Sequence, residues 1–204
     1  MESSLKKRKE EIRQELSTFD PEQVASRSGA SLNNENLELM MLGTNYVVEL
    51  PDYSIDFSEA DIHEEFEVVL FDYILNTCNS SPSPSDNWIA FSEIPSGGFY
   101  SSNFKKNTEV KLTREFQNKR KSFSSAAEEL GGSPISLGDE GYSFHILPKL
   151  KTAIVFWDGG DEFQDNVNVL FDESAADCLP TEGLSILGKM LCGQLLDLAR
   201  GGEK

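Results

Sequence analysis

Apolar residues recur along the chain in two patterns, and the longer-period pattern predicts helices. In residues 59–76 the apolar positions return every three or four residues, which is the spacing of one face of a helix. These positions are Ile62, Phe66, Val69, Leu70, Tyr73 and Ile74. Ser58 with Asp61 resembles a capping box ahead of them. Residues 181–199 carry a second such face, with Thr181 as a natural N-cap. This second face consists of Leu184, Leu187, Leu191, Leu195 and Leu198.

Three further helical segments are more polar. Residues 2–16 combine few apolar positions with many charges and predict a solvated, frayed helix. Asp20 can cap a short helix that has Pro21 in its first turn and ends at Gly29. Residues 105–130 read as one helical region that stops at a pair of glycines.

Short runs of β-branched and aromatic residues, bounded by Gly, Pro and Asp, predict strands. They cover residues 88–94, 142–147, 152–157 and 167–171. Two further apolar runs lie on either side of Gly43-Thr44-Asn45 within residues 37–50. This arrangement is typical of a β-hairpin.

Strands and helices come in separate runs rather than in regular alternation, which favours an α+β fold. We expect a mainly antiparallel sheet built from residues 37–50, 88–94 and 141–171, with the helices packed on it. Residues 20–204 are expected to form a single globular domain. Residues 1–19 are expected to form a loosely attached N-terminal helix.

Charge narrows the choice of partners. The formal net charge is -17 and the sequence pI is near 4.4, so duplex nucleic acid is not an expected partner, because phosphate contacts need clustered Lys and Arg. No N-terminal apolar segment resembles a signal peptide, and no run approaches the roughly 20 apolar residues of a membrane span. We expect a cytoplasmic protein that does not bind membranes. A protein partner and the oligomeric state stay open.

Positive charge is concentrated in one segment of this acidic chain. Residues 28–104 contain no Lys or Arg, whereas residues 105–121 are rich in both. The basic residues of that segment are Lys105, Lys106, Lys111, Arg114, Lys119, Arg120 and Lys121. Two interpretations stay open: an anion-binding face, or pairing of these cations with acidic residues of the same chain.

The densest group of carboxylates lies in the turn between the last two predicted strands and comprises Asp158, Asp161, Glu162 and Asp165. Clustered carboxylates supply the oxygen ligands that calcium and magnesium prefer, or a general acid and base pair. The spacing fails the calcium-loop template, because a start at Asp158 puts Gly160 at the third position, where a ligand is required. A simple solvated turn is the structural alternative.

Two residues bear on the chemistry of this acidic turn. Phe163 lies in its middle, and we expect the ring to fold back onto the core and fix the acids in place. His145 lies in a predicted strand and faces opposite to Phe144 and Ile146. If it points toward the acidic turn it is a candidate metal ligand or proton carrier; otherwise it is a structural histidine.

The three cysteines, Cys78, Cys178 and Cys192, are far apart in sequence. They form neither a CxxC pair nor a disulfide framework. We interpret them as buried or half-buried thiols in a reducing compartment. No cofactor is predicted from them or from any other motif.

No complete catalytic pattern appears: there is no nucleophile elbow, Walker loop, HExxH or cysteine-histidine metal pattern. The first functional hypothesis is therefore a noncatalytic binding or accessory module that uses the acidic turn as a recognition surface. The alternative is a metal-dependent, hydrolase-like enzyme with Asp158, Asp161, Glu162 and His145 around the ion. A third hypothesis is anion binding on residues 105–121.

Several segments together resemble one family, domain of unknown function family 3786, found in bacteria and archaea and frequent in anaerobes. The segments are FDYIL (71–75), WIAFSEIPSGGFY (88–100), AAEELGG (126–132), GDEGYSFHILP (138–148), FWDGGDEF (156–163) and VLFDES (169–174). Some relatives are joined to a cysteine-rich iron-sulfur segment of the kind found in corrinoid proteins, which implies an accessory role near such proteins. This chain lacks that segment, and its scattered cysteines cannot supply a four-cysteine cluster site. The resemblance implies no catalytic residue.

Overall fold

The computed structural model describes residues 2–33, 36–55 and 64–201. They divide into two compact units, each assembled from separate stretches of chain. The first unit takes Met1–Ser83, Ile146–Leu150 and Asp177–Pro180, and the second takes Pro84–His145, Lys151–Ala176 and Thr181–Lys204. Helices and two antiparallel sheets confirm the predicted α+β class.

The first unit contains three helices, α1 (Glu2–Leu16), α2 (Pro21–Ser28) and α3 (Glu64–Ser80). The predicted signals around α2 are confirmed: the side chain of Asp20 accepts a hydrogen bond from Glu22 N at 2.9 Å, and Gly29 ends the helix with a φ of 75°. A positive φ at this position suits glycine, which has no Cβ to clash. The capping box at Ser58, together with His63 and the predicted start of α3, lies outside the described residues.

Helix α1, which lies within the residues expected to form the N-terminal helix, packs against α3. Ile12 and Leu16 are fully buried. Three ion pairs join basic side chains of α1 to acids of α3: Arg8–Asp72 at 2.6 Å, Lys9–Glu67 at 2.7 Å and Arg13–Glu67 at 3.0 Å. The charges that suggested a solvated helix are partly turned inward, onto the carboxylates of α3.

The sheet of the first unit has the order β1-β2-β3-β4 and confirms the predicted hairpin. Its strands are β1 (Ser31–Asn33), β2 (Asn36–Met41), β3 (Thr44–Glu49) and β4 (Ser54–Ile55). Met41 pairs with Thr44 across the β2–β3 turn. Alternate residues of β2 are buried because successive side chains point to opposite faces of a strand.

The sheet of the second unit has the order β5-β9-β8-β7-β6. Its strands are β5 (Trp88–Ala90), β6 (Ser133–Ile135), β7 (Glu140–Leu147), β8 (Leu150–Trp157) and β9 (Asn166–Asp172). The strands predicted within residues 142–171 are therefore confirmed. The predicted single sheet is wrong, because β2 and β3 belong to a sheet of their own. Apolar alternation shows which face of a strand is buried but not which strand lies beside it.

Helices α4 (Gly97–Asn107), α5 (Glu109–Phe116) and α6 (Arg120–Glu129) replace the single helical region predicted at residues 105–130. The chain breaks at Thr108, whose φ of -122° and ψ of -85° are not helical. Its hydroxyl donates a 2.7 Å hydrogen bond back to Phe104 O. This local bond competes with helix continuation. Residues 117–119 make the second break and leave α5 short.

Helices α7 (Ala175–Cys178) and α8 (Thr181–Gly201) complete the chain. Most of the predicted leucine face of α8 is buried, with Leu184, Leu187 and Leu195 fully inaccessible, whereas Leu198 is half-buried. A Cβ at Gly188 would lie 3.0 Å from the rings of Phe104 and Phe171, so glycine lets these rings approach the helix closely. Gly193 has no such close neighbour from another described element.

None of the helices in the described part of the chain combines the length and the apolar character that crossing a membrane requires.

Candidate functional site

The acidic turn, residues 158–165, connects β8 to β9 and is held from within by its last carboxylate. Asp165 is 7% exposed. Its Oδ1 accepts a hydrogen bond from Gly159 N at 3.1 Å, and its Oδ2 accepts one from Asn118 N at 2.7 Å. One buried carboxylate therefore joins the start of the turn, the end of the turn and the segment that follows α5. Hydrogen bonds from backbone N–H groups to a carboxylate are among the stronger ones in proteins.

A second carboxylate closes the other side of the turn. Asp158 Oδ1 accepts a hydrogen bond from Gly160 N at 2.8 Å, and Asp158 N donates one to Asp139 Oδ2 at 2.9 Å. These are the local side-chain to backbone bonds that aspartate typically makes in turns. Asp139 and Asp158 thus stabilise the backbone of the turn, each through one carboxylate oxygen that accepts a hydrogen bond from an N–H group.

Gly159 is required by the tight folding of this turn. A Cβ placed there would lie 2.3 Å from Phe163 O and 2.6 Å from the carbonyl carbon of Gln164. Neither backbone atom can move aside without changing the turn. Only glycine therefore fits at position 159.

The tip of the turn is exposed. Asp161 and Glu162 are exposed, and Phe163 has 77% of its surface accessible. The expectation that Phe163 folds back onto the core is wrong. Hydrogen bonds that the carboxylates of Asp158 and Asp165 accept from backbone N–H groups hold the turn instead. Trp157, which precedes the turn, is also exposed, at 42%.

His145 does not reach the acidic turn. It is exposed near the end of β7, beside the connection to β8 at residues 148–149. The acidic turn follows Trp157 at the opposite end of β8, which is eight residues long. Most of that strand, roughly 20 Å, separates the imidazole from the carboxylates. Among the residues that the structure describes, no three His, Cys, Asp or Glu side chains form a group able to hold a metal ion.

Some cations of the basic segment, residues 105–121, pair with acidic side chains of the same chain, and others do not pair within the described residues. Three of them pair with carboxylates: Lys105–Glu109 at 3.7 Å, Lys119–Glu115 at 3.7 Å and Arg120–Glu140 at 2.9 Å. Lys111 and Arg114 lie on the exposed side of α5, and the described part of the chain offers neither of them an ion pair. Internal pairing therefore accounts for only part of the segment.

Side chains of α5 cover a free edge of β9. Strand β5 pairs with β9 only between Leu170 and Asp172, so the first residues of β9 have no strand on that side. There, Thr113 Oγ1 accepts a hydrogen bond from Val167 N at 2.9 Å, and Glu109 Oε1 accepts one from Val169 N at 3.3 Å. The helix thus satisfies backbone donors that an edge strand would leave open.

A pocket of about 410 Å³ opens between α5 and the start of β9. Cations, amides, a hydroxyl, a carboxylate and one apolar side chain line it. The lining residues are Lys105, Glu109, Val110, Thr113, Arg114, Gln117, Gln164 and Asn166. We call it the α5–β9 pocket. Its volume falls in the range of small-molecule sites in proteins.

The α5–β9 pocket touches the predicted acidic turn at one end only. Gln164 and Asn166 flank Asp165, whose buried carboxylate fixes their backbone. Asp158, Asp161, Glu162 and His145 do not line the pocket. Sequence reasoning missed its amides, because isolated Gln and Asn residues follow no motif. The basic character of residues 105–114 was the one visible signal.

A family model described as Domain of unknown function (DUF3786) matches residues 20–194. The chain belongs to this family. No curated protein and no solved structure matches the chain. The resemblance drawn from the sequence motifs is thereby confirmed. The DUF3786 match includes the whole acidic turn and every residue of the α5–β9 pocket, whereas α1 lies ahead of it.

The cysteines of this DUF3786 protein are free thiols, and Cys78, Cys178 and Cys192 are all buried. Burial raises the pKa of the Cys78 thiol to about 11, although the nearby Arg27 works in the opposite direction. Burial also raises the pKa of Cys192, and the charge of Glu109 adds to that effect. Thiols of this kind are poor nucleophiles and poor metal ligands at neutral pH, because the thiolate is the reactive form.

Proposed function

We propose that this DUF3786 protein is a noncatalytic binding module whose ligand occupies the α5–β9 pocket. The supporting observation is that both walls are held by hydrogen bonds to backbone. Thr113 and Glu109 tie α5 to β9, and Asp165 ties the acidic turn to residue 118. A pocket with preorganised walls loses less conformational entropy when a ligand binds.

The chemistry of the lining also favours binding over catalysis. The pocket presents donors and acceptors, but its lining includes no His or Cys. Its one hydroxyl, on Thr113, accepts a backbone hydrogen bond, and the one carboxylate of the lining, Glu109, is engaged by Val169 N and Lys105. A nucleophile needs a base within hydrogen-bond reach that is free to take its proton.

The acidic turn has a supporting role in this proposal. Asp158 and Asp165 are positioning residues, because they fix the backbone that carries Gln164 and Asn166. Asp161 and Glu162 lie two or three residues from Gln164 on the exposed tip. They would contact a ligand or protein partner only if it extended beyond the pocket.

An accessory role beside iron-sulfur or corrinoid proteins rests on the family resemblance. The buried cysteines favour a role in which this chain assists another protein that carries the cluster. Three buried thiols far apart in sequence cannot supply the four-cysteine site that such clusters require.

Titration of the ¹⁵N-labelled protein with a library of small polar compounds, followed by amide chemical shifts, tests the proposal. We expect hits to perturb the amides of residues 105–117 and 164–166. Val110→Trp should abolish this response, because Val110 lines the pocket and is 52% exposed, so a larger ring fills the pocket without disturbing the core. Val47→Trp, at an exposed position of β3 (39%), is the matched control and should leave it intact. The absence of any hit at these amides, or equal binding by Val110→Trp, would overturn the proposal.

A further inference from the structure

We propose that the α5–β9 pocket selects small ligands that carry an anionic group, a carboxylate or a phosphate monoester, next to an apolar body. This inference rests on the proposed function and adds the chemical class of the ligand. It is carried by the charges, donors and apolar surface that line the pocket.

The lining of the pocket carries more positive than negative charge. Glu109 is already committed, because its Oε1 accepts the hydrogen bond from Val169 N at 3.3 Å and its Oε2 lies 3.7 Å from Lys105 Nζ. Arg114 lines the same pocket without an ion pair inside the described ranges. The two cations and one carboxylate leave the lining with one unbalanced positive charge, in a chain whose net charge is -17.

The hydroxyl of Thr113 also lines the pocket. Its Oγ1 accepts the hydrogen bond from Val167 N at 2.9 Å, so its own hydroxyl proton is directed elsewhere. No acceptor for that proton lies among the described residues, although the hydroxyl of Thr108 one turn earlier donates to Phe104 O. The Thr113 hydroxyl is therefore a donor available to a ligand, one residue before Arg114.

The remaining lining residues define the rest of the ligand. Gln117 and Gln164 offer amide N–H donors at either wall. Val110 supplies an exposed apolar surface on which an organic body can pack. Guanidinium, hydroxyl and amide donors around one apolar wall match a carboxylate or phosphate on a small organic group. A polyanion fits less well, because the acidic tip with Asp161 and Glu162 would repel it.

Four probes that differ only in their head group test this inference: benzoate, phenyl phosphate, benzamide and benzylamine. We expect benzoate, phenyl phosphate or both to shift the amides of residues 105–117 and 164–166, and to bind at least tenfold more tightly than benzamide and benzylamine. The ratio of the dissociation constants of benzoate and phenyl phosphate shows whether the pocket prefers a carboxylate or a phosphate. Binding should weaken as ionic strength rises, since the cations are exposed.

Variants locate the effect at Arg114. Arg114→Gln should weaken anion binding by about tenfold or more, the usual cost of losing one charge-assisted hydrogen bond, and should leave benzamide unaffected. Arg114→Lys should keep part of the preference, because it keeps the charge but not the planar fork. Lys121→Gln makes the same charge change at an exposed site outside the pocket and should have no effect.

The outcomes separate this inference from the proposed function. Tightest binding of benzamide or benzylamine at these amides would overturn the anion preference and leave the binding module standing. Anion binding that is equally reduced in Lys121→Gln and Arg114→Gln would also overturn it, because the attraction would then be general. If no compound of any charge class binds there, both proposals fail.

Discussion

Thr113 Oγ1 accepts a 2.9 Å hydrogen bond from the backbone N–H of Val167, so a helix side chain takes the place of a neighbouring strand at the edge of β9. Exposed strand edges tend to pair with other chains, and natural proteins protect them in several ways. Here the protection and the wall of a pocket are provided by the same side chain.

Thr113→Val should therefore destabilise the protein and expose the edge of β9. The substitution keeps the shape of the side chain but leaves the N–H of Val167 without a partner, which costs about 1–3 kcal/mol. Urea denaturation measures the loss, and light scattering measures any increase in self-association. Thr113→Ser retains the hydroxyl, and its loss in free energy of unfolding is expected to be less than half that of Thr113→Val. An unchanged free energy of unfolding in Thr113→Val would show that water replaces the hydrogen bond at no cost.

Asp172 gives the protein a defined acid sensitivity. It is fully buried, and its carboxylate accepts hydrogen bonds from Ser85 N at 2.9 Å, Asp86 N at 2.7 Å and Ser174 N at 3.0 Å. Burial by itself raises the pKa of this carboxyl, but these hydrogen bonds, together with one from the Ser174 hydroxyl, outweigh it and hold the pKa below its ordinary value of 3.8.

A folded-state pKa below the unfolded value means that Asp172 stabilises the fold above pH 3.8 and that this contribution is lost as the pH falls through the folded-state pKa. Asp172→Asn should cost about 1–3 kcal/mol at pH 7, because the charged acceptor is replaced. Chemical denaturation should be measured from pH 7 to pH 2. The difference in free energy of unfolding between Asp172→Asn and the natural protein should become smaller at the acid end. A difference that stays constant over this range would contradict a lowered pKa for Asp172. Glu173→Gln, next along the chain but at the surface, is the matched control.

Glu67 is expected to be the main electrostatic anchor of α1. Its side chain is only 10% exposed and bridges Lys9 and Arg13. Glu67→Gln should lower the free energy of unfolding by about 2–3 kcal/mol, since the charged acceptor of two ion-paired hydrogen bonds is lost. Glu11→Gln breaks the solvent-exposed pair with Lys7 and should cost less than about 1 kcal/mol. Equal effects of the two changes would mean that Glu67 is not an electrostatic anchor of α1.

The three cysteines should resist modification in the folded protein. All three thiols are buried, and the raised pKa of Cys78 and Cys192 leaves these two with little thiolate. Reaction with an aromatic disulfide reagent at pH 8 should therefore be slow until the protein is denatured. All three thiols should then react in guanidinium chloride. Ser125→Cys adds a thiol on the exposed side of α6 and serves as the positive control, with rapid reaction of that one group. Fast native-state reaction of Cys78 would contradict the burial described here.

Divalent metals should leave the melting temperature unchanged. Both oxygens of Asp165 and one oxygen of Asp158 accept hydrogen bonds from backbone N–H groups, and His145 lies at the other end of β8. A ligand that binds the folded state raises its stability by mass action, so melting curves with magnesium, calcium, manganese and zinc provide a direct test. A clear rise that Asp158→Asn removes would restore the metal-dependent alternative.

The sequence predicted what depends on local periodicity. The strands at residues 142–171, the β2–β3 hairpin and the leucine face of α8 follow from the spacing of apolar residues along short stretches. The cap at Asp20 with Pro21 follows from side-chain chemistry within one turn. Each of these signals consists of residues that are close together in the chain, so it does not depend on distant partners.

What the sequence did not predict depends on pairs far apart in the chain. Glu67, the acidic partner of Lys9 and Arg13, lies more than fifty residues away from both, so α1 resembled a solvated helix. Phe163 was expected to be buried because large aromatics usually are, yet backbone hydrogen bonds hold its turn. The α5–β9 pocket joins residues 105–117 to residues 164–166, and charge in the first segment carries no information about which amides face it.

The division into two interleaved units bears on how the chain emerges from the ribosome. The first unit lacks residues 177–180 until two of the three segments of the second unit have been synthesised. At typical elongation rates the roughly 90 residues between position 83 and position 177 take about 5–20 s to make. During that interval α1–α3 and the first sheet exist without their final segment. Folding in this protein is therefore completed across the chain rather than from its N-terminus onward, and a truncation before residue 177 would leave both units unfinished.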